Sequence, residues 1–404
     1  MLRAGHYFLE VTMVVHQAYS LLLVSGAALI LPGVSRILRI PAPVAEIIFG
    51  VLLGKSLLHL QFSGEWLPFL AELGFLMLMF QSGMEIDFSV LSRQSAKEVL
   101  LQFLVFCGTV AGAFAVTLFL GLHPFMALVL STTSLGLVMP TLRETGLLKT
   151  MFGQRVLIAS TLADFLTLLA ITLFMLWDEH GLSLRLISPL PLFIGFGLLL
   201  RMGRLWAWWN PDKARKLLDS EGNLEMGVRL SLALLFLFVA FSELVHLEPV
   251  LGAFMGGCVL SYVFRAKETL EGKLSALGFG FLVPVFFINV GMQFDLSNVL
   301  RPDMLILTAI LLVCAFLVKV LPAFLFGLRG MKLRDSLRAG VLLSSRLSLI
   351  VAAAELGVSR GFVTPAQQDA IILLAMLTCL LGPTLFKLLS RTVIQPQGRA
   401  GESA

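Results

Sequence analysis

Charge is scarce in this sequence. Asp, Glu, Lys and Arg make up 14% of its 404 residues, 58% are hydrophobic, and the mean hydropathy is +0.93. Soluble chains of this size are not so apolar, and repeated apolar runs of about 20 residues mark helices that cross a bilayer. Those runs consume nearly the whole length, so no sizeable soluble domain is expected. Cysteine is scarce too. Cys107, Cys258, Cys314 and Cys379 all fall inside expected spans, which excludes a secreted-type disulfide framework, and their spacing suggests no metal site. A nucleophile-and-base constellation and helical H-x-x-x-x-H spacing are both missing, so neither an enzyme nor a resident cofactor is expected. The N-terminal apolar segment lacks a small-residue cleavage site and reads as a retained first span.

What is present is a polytopic, all-α membrane protein. Length, turn signals and Pro/Gly punctuation give about thirteen spans. They fall at 11–38, 43–60, 66–84, 97–121, 125–144, 155–177, 186–208, 223–246, 248–264, 274–292, 302–328, 336–357 and 366–391. Of the 30 Lys and Arg, 23 lie in loops on one side of these spans and five (Arg3, Lys55, Arg185, Arg301, Arg360) on the other. This positive-inside bias places the N-terminus outside and the C-terminus, with a tail at 392–404, in the cytoplasm. The net charge of +5 is therefore topological, and a nucleic-acid partner is not expected.

Two cations remain, Lys319 and Arg346, and both lie inside spans. Among in-span acids, Glu46, Glu72, Glu243 and Glu355 lie nearer the ends, while Asp164 sits mid-span in "VLIASTLADFLTLLAITLFMLW". A carboxylate there is costly, and ionisable residues within spans default to a functional reading.

An internal repeat relates "GFLMLMFQSGMEIDFS" (74–89) to "GFLVPVFFINVGMQFDLS" (280–297), which share G-M-x-x-D-x-S from Gly83 and from Gly291. Seven helices separate the copies, and an odd number turns the second upside down, an arrangement typical of secondary transporters. Spans five and twelve, again seven apart, each carry hydroxyls mid-span: Ser131, Thr132, Thr133 and Ser134 in one, Ser344, Ser345 and Ser348 in the other. Such stretches can unwind and expose half-helix ends, with Pro140 adding a kink to the first. Helix-to-helix packing is the bland reading of the same hydroxyls.

Apolar surroundings favour protonation of Asp164 while a nearby Lys319 favours ionisation, so a proton and a cation would compete for one carboxylate. Ser160, one turn earlier on the same face, and oxygens of Thr132, Thr133 and Ser134 would complete a hard-cation shell for Na⁺ or K⁺. Lys319 could release a proton. Arg346 keeps its charge and reads, with Ser345, as electrostatic support at the second helix break. His6, His59, His123, His180 and His246 fall on the outer side. Trp206, Trp208 and Trp209 form an interfacial belt, and "WNPDKARKLLDSEGN" reads as an inner surface helix. Two rivals stay open: a cation-coupled symporter whose Arg346 reads an organic anion, and a non-transporting sensor whose Asp164 and Lys319 form a structural tie.

"RIPAPVAEIIFGVLLG" (39–54), "AELGFLMLMFQSGMEID" (71–87), "STTSLG" (131–136), Asp164, "PVFFINVGM" (284–292) and Lys319 together resemble the monovalent cation:proton antiporter-2 family over nearly the whole chain. The resemblance implies a thirteen-helix inverted-repeat antiporter with two crossing broken helices, usually a homodimer in the bacterial-type plasma (inner) membrane. It implies an ion-transporting core (66–177 and 274–391) moving as an elevator against a scaffold and dimerisation domain (11–60 and 186–264). It also assigns ion binding to Asp164 and pairing with it to Lys319. Many members carry a second polar residue just before the aspartate, where this chain has Ala163; one carboxylate suggests one-for-one, electroneutral exchange. The glutathione-gated potassium efflux members add a nucleotide-binding domain, and no G-x-G-x-x-G after a strand follows the last span here. That gating is not expected, and a separate regulatory subunit stays open.

Overall fold

The computed structural model describes residues 2–38, 40–54, 65–85, 95–181, 225–245, 247–263 and 268–390, with isolated positions at 56, 58 and within 194–209. Among these, nine helices are long and apolar enough to cross a membrane. A bent helix pair makes a tenth, and two further apolar helices, Ala42–Leu53 and Pro249–Val263, are shorter. No strand occurs among the described residues. Most of the expected span at 186–208, the surface helix after Trp209, the 392–404 tail, His59 and His246 lie outside them. The same holds for residues 86–89 of the repeat and for Trp206; the side chains of His6 and His180 are likewise not described.

The chain divides into two compact units, residues 1–92 with 169–301 (unit 1) and 93–168 with 302–404 (unit 2). Unit 1 contains α1 (Leu2–Leu38), α2 (Ala42–Leu53), α3 (Trp66–Met84), α8 (Met226–Leu244), α9 (Pro249–Val263), α10 (Glu268–Leu277) and α11 (Val283–Gln293). Its packing displays the repeat. Gly83 on α3 and Gly291 on α11 hold the same place in the repeated motif, 208 positions apart. A Cβ on Gly83 would strike the Phe254 carbonyl of α9, and one on Gly291 the Ile47 carbonyl of α2. The partner helices answer in kind: Gly257 of α9 leaves no room before the Phe80 carbonyl, nor Gly50 of α2 before that of Ile288. Each copy's third helix thus packs on the other copy's second. Without a hydrophobic drive between helices in lipid, such backbone approach at small residues supplies the association. The rings of Phe75 and Phe286 stack at 5.0 Å where α3 meets α11.

The expected core took in the spans at 66–84 and 274–292. By contacts they lie in unit 1, where the glycine contacts bind α3 to α9 and α11 to α2.

Unit 2 contains α4 (Ala96–Phe119), α5 (Phe125–Ser131), α6 (Leu135–Glu144), α7 (Met151–His180) as far as Leu168, α12 (Pro302–Ala323), α13 (Leu333–Leu343), α14 (Ser348–Ser359) and α15 (Pro365–Ser390). Val138, Leu142, Val156, Ala323, Leu342 and Phe386 are among the residues of its apolar core. Both expected breaks are present. Span five parts into α5 and α6 at residues 132–134, and span twelve into α13 and α14, bent by 49°. The hydroxyls drive the first break. Ser131 Oγ donates to the Ala127 carbonyl (2.7 Å) and Thr132 Oγ1 to that of Val129 (2.8 Å), while Thr132 and Ser134 adopt extended backbone. Local side-chain bonds of this kind give the backbone an alternative to the helix ladder. Pro140 is not the breaker. It sits six residues into α6, which continues through it to Glu144.

Candidate ion-binding site

The first break makes two facing half-helix ends inside unit 2. The end of α5 presents carbonyls that no longer find a partner along the helix, and the start of α6 presents free N–H groups. The sequence supplies a counter-charge for each. Asp164, on α7, accepts a hydrogen bond from the Leu135 N–H at the start of α6 through Oδ2 (3.1 Å). Lys319, on α12 and 3% exposed, donates from Nζ to the Ser131 carbonyl (2.7 Å) and to Thr133 Oγ1 (2.6 Å). Arg346, with no exposed surface, donates from Nε to the Thr132 carbonyl (3.1 Å) and from Nη2 to the Ala315 carbonyl of α12 (2.8 Å). Carboxylate at the positive end and cations at the negative end follow the helix dipole, and charge-assisted bonds offset part of the desolvation cost.

The break brings Asp164, Lys319, Thr132, Thr133 and Ser134 to one place. Two expectations about its wiring change. Among the described residues Lys319 forms no ion pair with Asp164; the α5 end holds its ammonium instead, through the Ser131 carbonyl and Thr133 Oγ1. Arg346 sits on the second break but supports the first, because the carbonyl left over at α5 lies within its reach. Neighbouring Ser345 is fully buried and its Oγ has no hydrogen-bond partner.

The proposed oxygen shell is partly committed. Ser160 Oγ donates to the Leu157 carbonyl (2.9 Å) and Thr132 Oγ1 to that of Val129, although both oxygens keep lone pairs for a cation. Asp164 Oδ1 is shielded from solvent and has no hydrogen-bond partner. The same is true of Thr167 Oγ1, one turn beyond Asp164. Sequence reading missed Thr167; its signal was a hydroxyl at i+3 from the only central carboxylate. His123, away from these residues in sequence, stacks on Phe362 at 4.9 Å, and its Nδ1 accepts the Phe125 N–H at 3.3 Å. Trp208 and Trp209 are exposed, as an interfacial belt requires.

An anchored carboxylate with one oxygen free, beside a neutralised helix end, can exchange one small cation for another. Three comparisons bear on this geometry. YjbQ of Bacillus subtilis, named as a Na(+)/H(+) antiporter, is 32% identical over 386 residues, covering 89% of this chain and 61% of its own. The chain thus spans about three-fifths of that relative. The Na(+)/H(+)-K(+) antiporter GerN of Bacillus cereus is 26% identical over 358 residues, covering 86% of this chain and 89% of its own. The structure of the sodium proton antiporter MjNhaP1 from Methanocaldococcus jannaschii at pH 8 shares the fold, with a TM-score of 0.67 at 16% identity over 95% of this chain and all of that one. Residues 24–391 match the family described as sodium/hydrogen exchanger, transmembrane, and the chain belongs to that family.

Proposed function

We propose that this protein is a secondary antiporter that exchanges Na⁺ for H⁺ across the bacterial-type plasma membrane, with its N-terminus outside and C-terminus in the cytoplasm. The observation that carries this reading is the state of Asp164: Oδ2 is tied to the Leu135 N–H while Oδ1 is buried and unpaired. A buried oxygen without a partner is costly unless it binds something. A proton or a Na⁺ can occupy it, one excluding the other. Ser160, Thr133, Ser134 and Thr132 would complete the cation's ligands, and Lys319 would return toward the carboxylate when the cation leaves.

One carboxylate, with Ala163 before it, supports one-for-one and electroneutral exchange. All the ion-site residues belong to unit 2, which suits an elevator-type movement of that unit as one body, in a homodimer. The K(+) in GerN's name makes K⁺ the second cation to try. The symporter reading is weaker, because Nε and Nη2 of Arg346 are committed to carbonyls, which leaves Nη1 alone to read an organic anion and no bidentate pair.

The test is purified protein in liposomes with an imposed ΔpH and an internal pH dye. Na⁺ and then K⁺ are added with the membrane potential clamped at zero and then negative. Proton movement on Na⁺ addition, indifferent to potential and lost in Asp164→Asn, is expected. Dependence on potential would overturn electroneutrality, and no response to either cation would overturn antiport.

A further inference from the structure

Asp164 stands between two hydroxyl residues of its own helix, Ser160 one turn before it and Thr167 one turn after. Their side chains behave differently. Ser160 Oγ donates to the Leu157 carbonyl at 2.9 Å, whereas Thr167, with no exposed surface, leaves Oγ1 without a partner. From this difference we infer that Thr167 is a further ligand of the transported cation, beside Asp164 Oδ1; the inference deepens the antiport reading and rests on it.

A bare threonine hydroxyl in a membrane helix is unusual because the remedy lies so close. Rotation about one bond brings Oγ1 to a carbonyl of the previous turn. Thr109 and Thr117 on α4, Thr141 on α6, Thr308 on α12 and Thr378 on α15 all do this. Each donates to the carbonyl four residues back, at 2.7 to 2.9 Å. Thr167 has the Ala163 carbonyl at the same spacing and does not use it. Among the described residues it is the only buried threonine whose hydroxyl lacks a partner.

Ala159, Ala163 and Thr167 recur every four residues and so share one face of α7. Ala159 and Ala163 line a cavity of unit 2 together with Gln102, Thr133 and Lys319. Thr167 continues that stripe, the one that faces the first break. Three residues from Asp164, it is also a surface neighbour of the carboxylate. Oδ1 and Oγ1 make no hydrogen bond to each other. Two ligands of one cation stand farther apart than two hydrogen-bonded oxygens, and the helical spacing provides that separation. The other hydroxyls are more constrained: Thr132 and Ser160 are pinned to carbonyls, and Thr133 Oγ1 accepts from Lys319. A proton needs Oδ1 alone. Na⁺ needs several oxygens in place of its hydration shell, so Thr167 acts on the cation and not on the proton.

The test is the purified protein in liposomes, with Na⁺-driven proton movement followed at one pH. Thr167→Val keeps the shape of the side chain and removes the oxygen. It is expected to raise the KM for Na⁺ about tenfold and to leave the saturating rate within about twofold, as the loss of one bond to a charged group does. Thr167→Ser restores the oxygen and should bring KM back to within about threefold of the wild type. Thr117→Val, which removes a hydroxyl bonded to its own helix, should leave KM unchanged. Melting in detergent reads binding without transport. In Na⁺-free buffer Thr167→Val should melt no lower than the wild type, because it buries no unpaired hydroxyl. It should need about tenfold more Na⁺ for the same rise in melting temperature. A wild-type KM in Thr167→Val, a saturating rate that falls with KM unchanged, or a Thr167→Ser protein as impaired as Thr167→Val would overturn the inference. So would a Thr167→Val protein that melts lower, or a wild type that Na⁺ does not stabilise. A wild type that Na⁺ stabilises but that moves no protons sinks the antiport reading instead, and the melting series still judges Thr167.

Discussion

Arg346, on the second helix break, donates its Nε–H to the carbonyl of Thr132, on the first, at 3.1 Å. The two breaks of unit 2 therefore meet through one side chain, which also reaches the Ala315 carbonyl of α12 at 2.8 Å. Arg346→Met is expected to leave two buried carbonyls unpaired, at about 1–3 kcal/mol each. Thermal melting in detergent should show the loss. Arg346→Lys keeps the charge but not the planar fork. It should recover part of the stability and little of the exchange, and full recovery of both would mean that charge alone matters at this position.

Asp164→Asn keeps an oxygen for the Leu135 N–H. The variant is expected to melt within about 1 kcal/mol of the wild type, as isosteric changes that preserve a hydrogen bond do, while Na⁺-driven proton movement disappears. Exchange that survives in a folded Asp164→Asn protein would remove Asp164 from the ion site.

Lys319→Met should strip the Ser131 carbonyl and Thr133 Oγ1 of their donor. The expected cost is again about 1–3 kcal/mol, read as a lower melting temperature. Turnover should fall as well, since the α5 end then faces the proposed cation site without a compensating charge. Unchanged turnover in a destabilised protein would assign Lys319 a structural role only.

The proposed competition between H⁺ and Na⁺ at Asp164 sets the sign of the expected pH dependence. On the acidic side of the transition, each unit of rising pH removes nine-tenths of the competing protons and should lower the apparent KM for Na⁺ about tenfold, reciprocally with the effect of Na⁺ on proton affinity. A KM that rises with pH over that range would exclude a shared site.

Gly83→Leu and Gly291→Leu should damage unit 1 alike, because each places side-chain atoms against a backbone carbonyl of the opposing copy, Phe254 in one case and Ile47 in the other. Comparable losses of folded protein, followed by size-exclusion chromatography in detergent, are expected. Damage from one change and tolerance of the other would mean that the repeat is not matched in packing.

The sequence by itself determined the membrane fold, the inverted repeat and both breaks, and singled out the polar residues that the fold gathers at the first of them. Apolar run length, an odd helix offset and polar residues marooned in apolar spans are one-dimensional signals, and the bilayer makes each of them expensive to ignore. Only the tertiary structure decided who pairs with whom. Lys319 turned to the α5 end rather than to Asp164, and Arg346 reached across to the first break. Whether a buried cation finds a carboxylate or a bare carbonyl is settled by distances of a few ångströms between helices far apart in the chain. The grouping of α3 and α11 with unit 1 has a similar cause, since glycine shows where backbones can approach but not which helix will come. Gln102 carries no sequence signal of its own, and only the fold puts its unpaired oxygen in the cavity that Lys319 also lines.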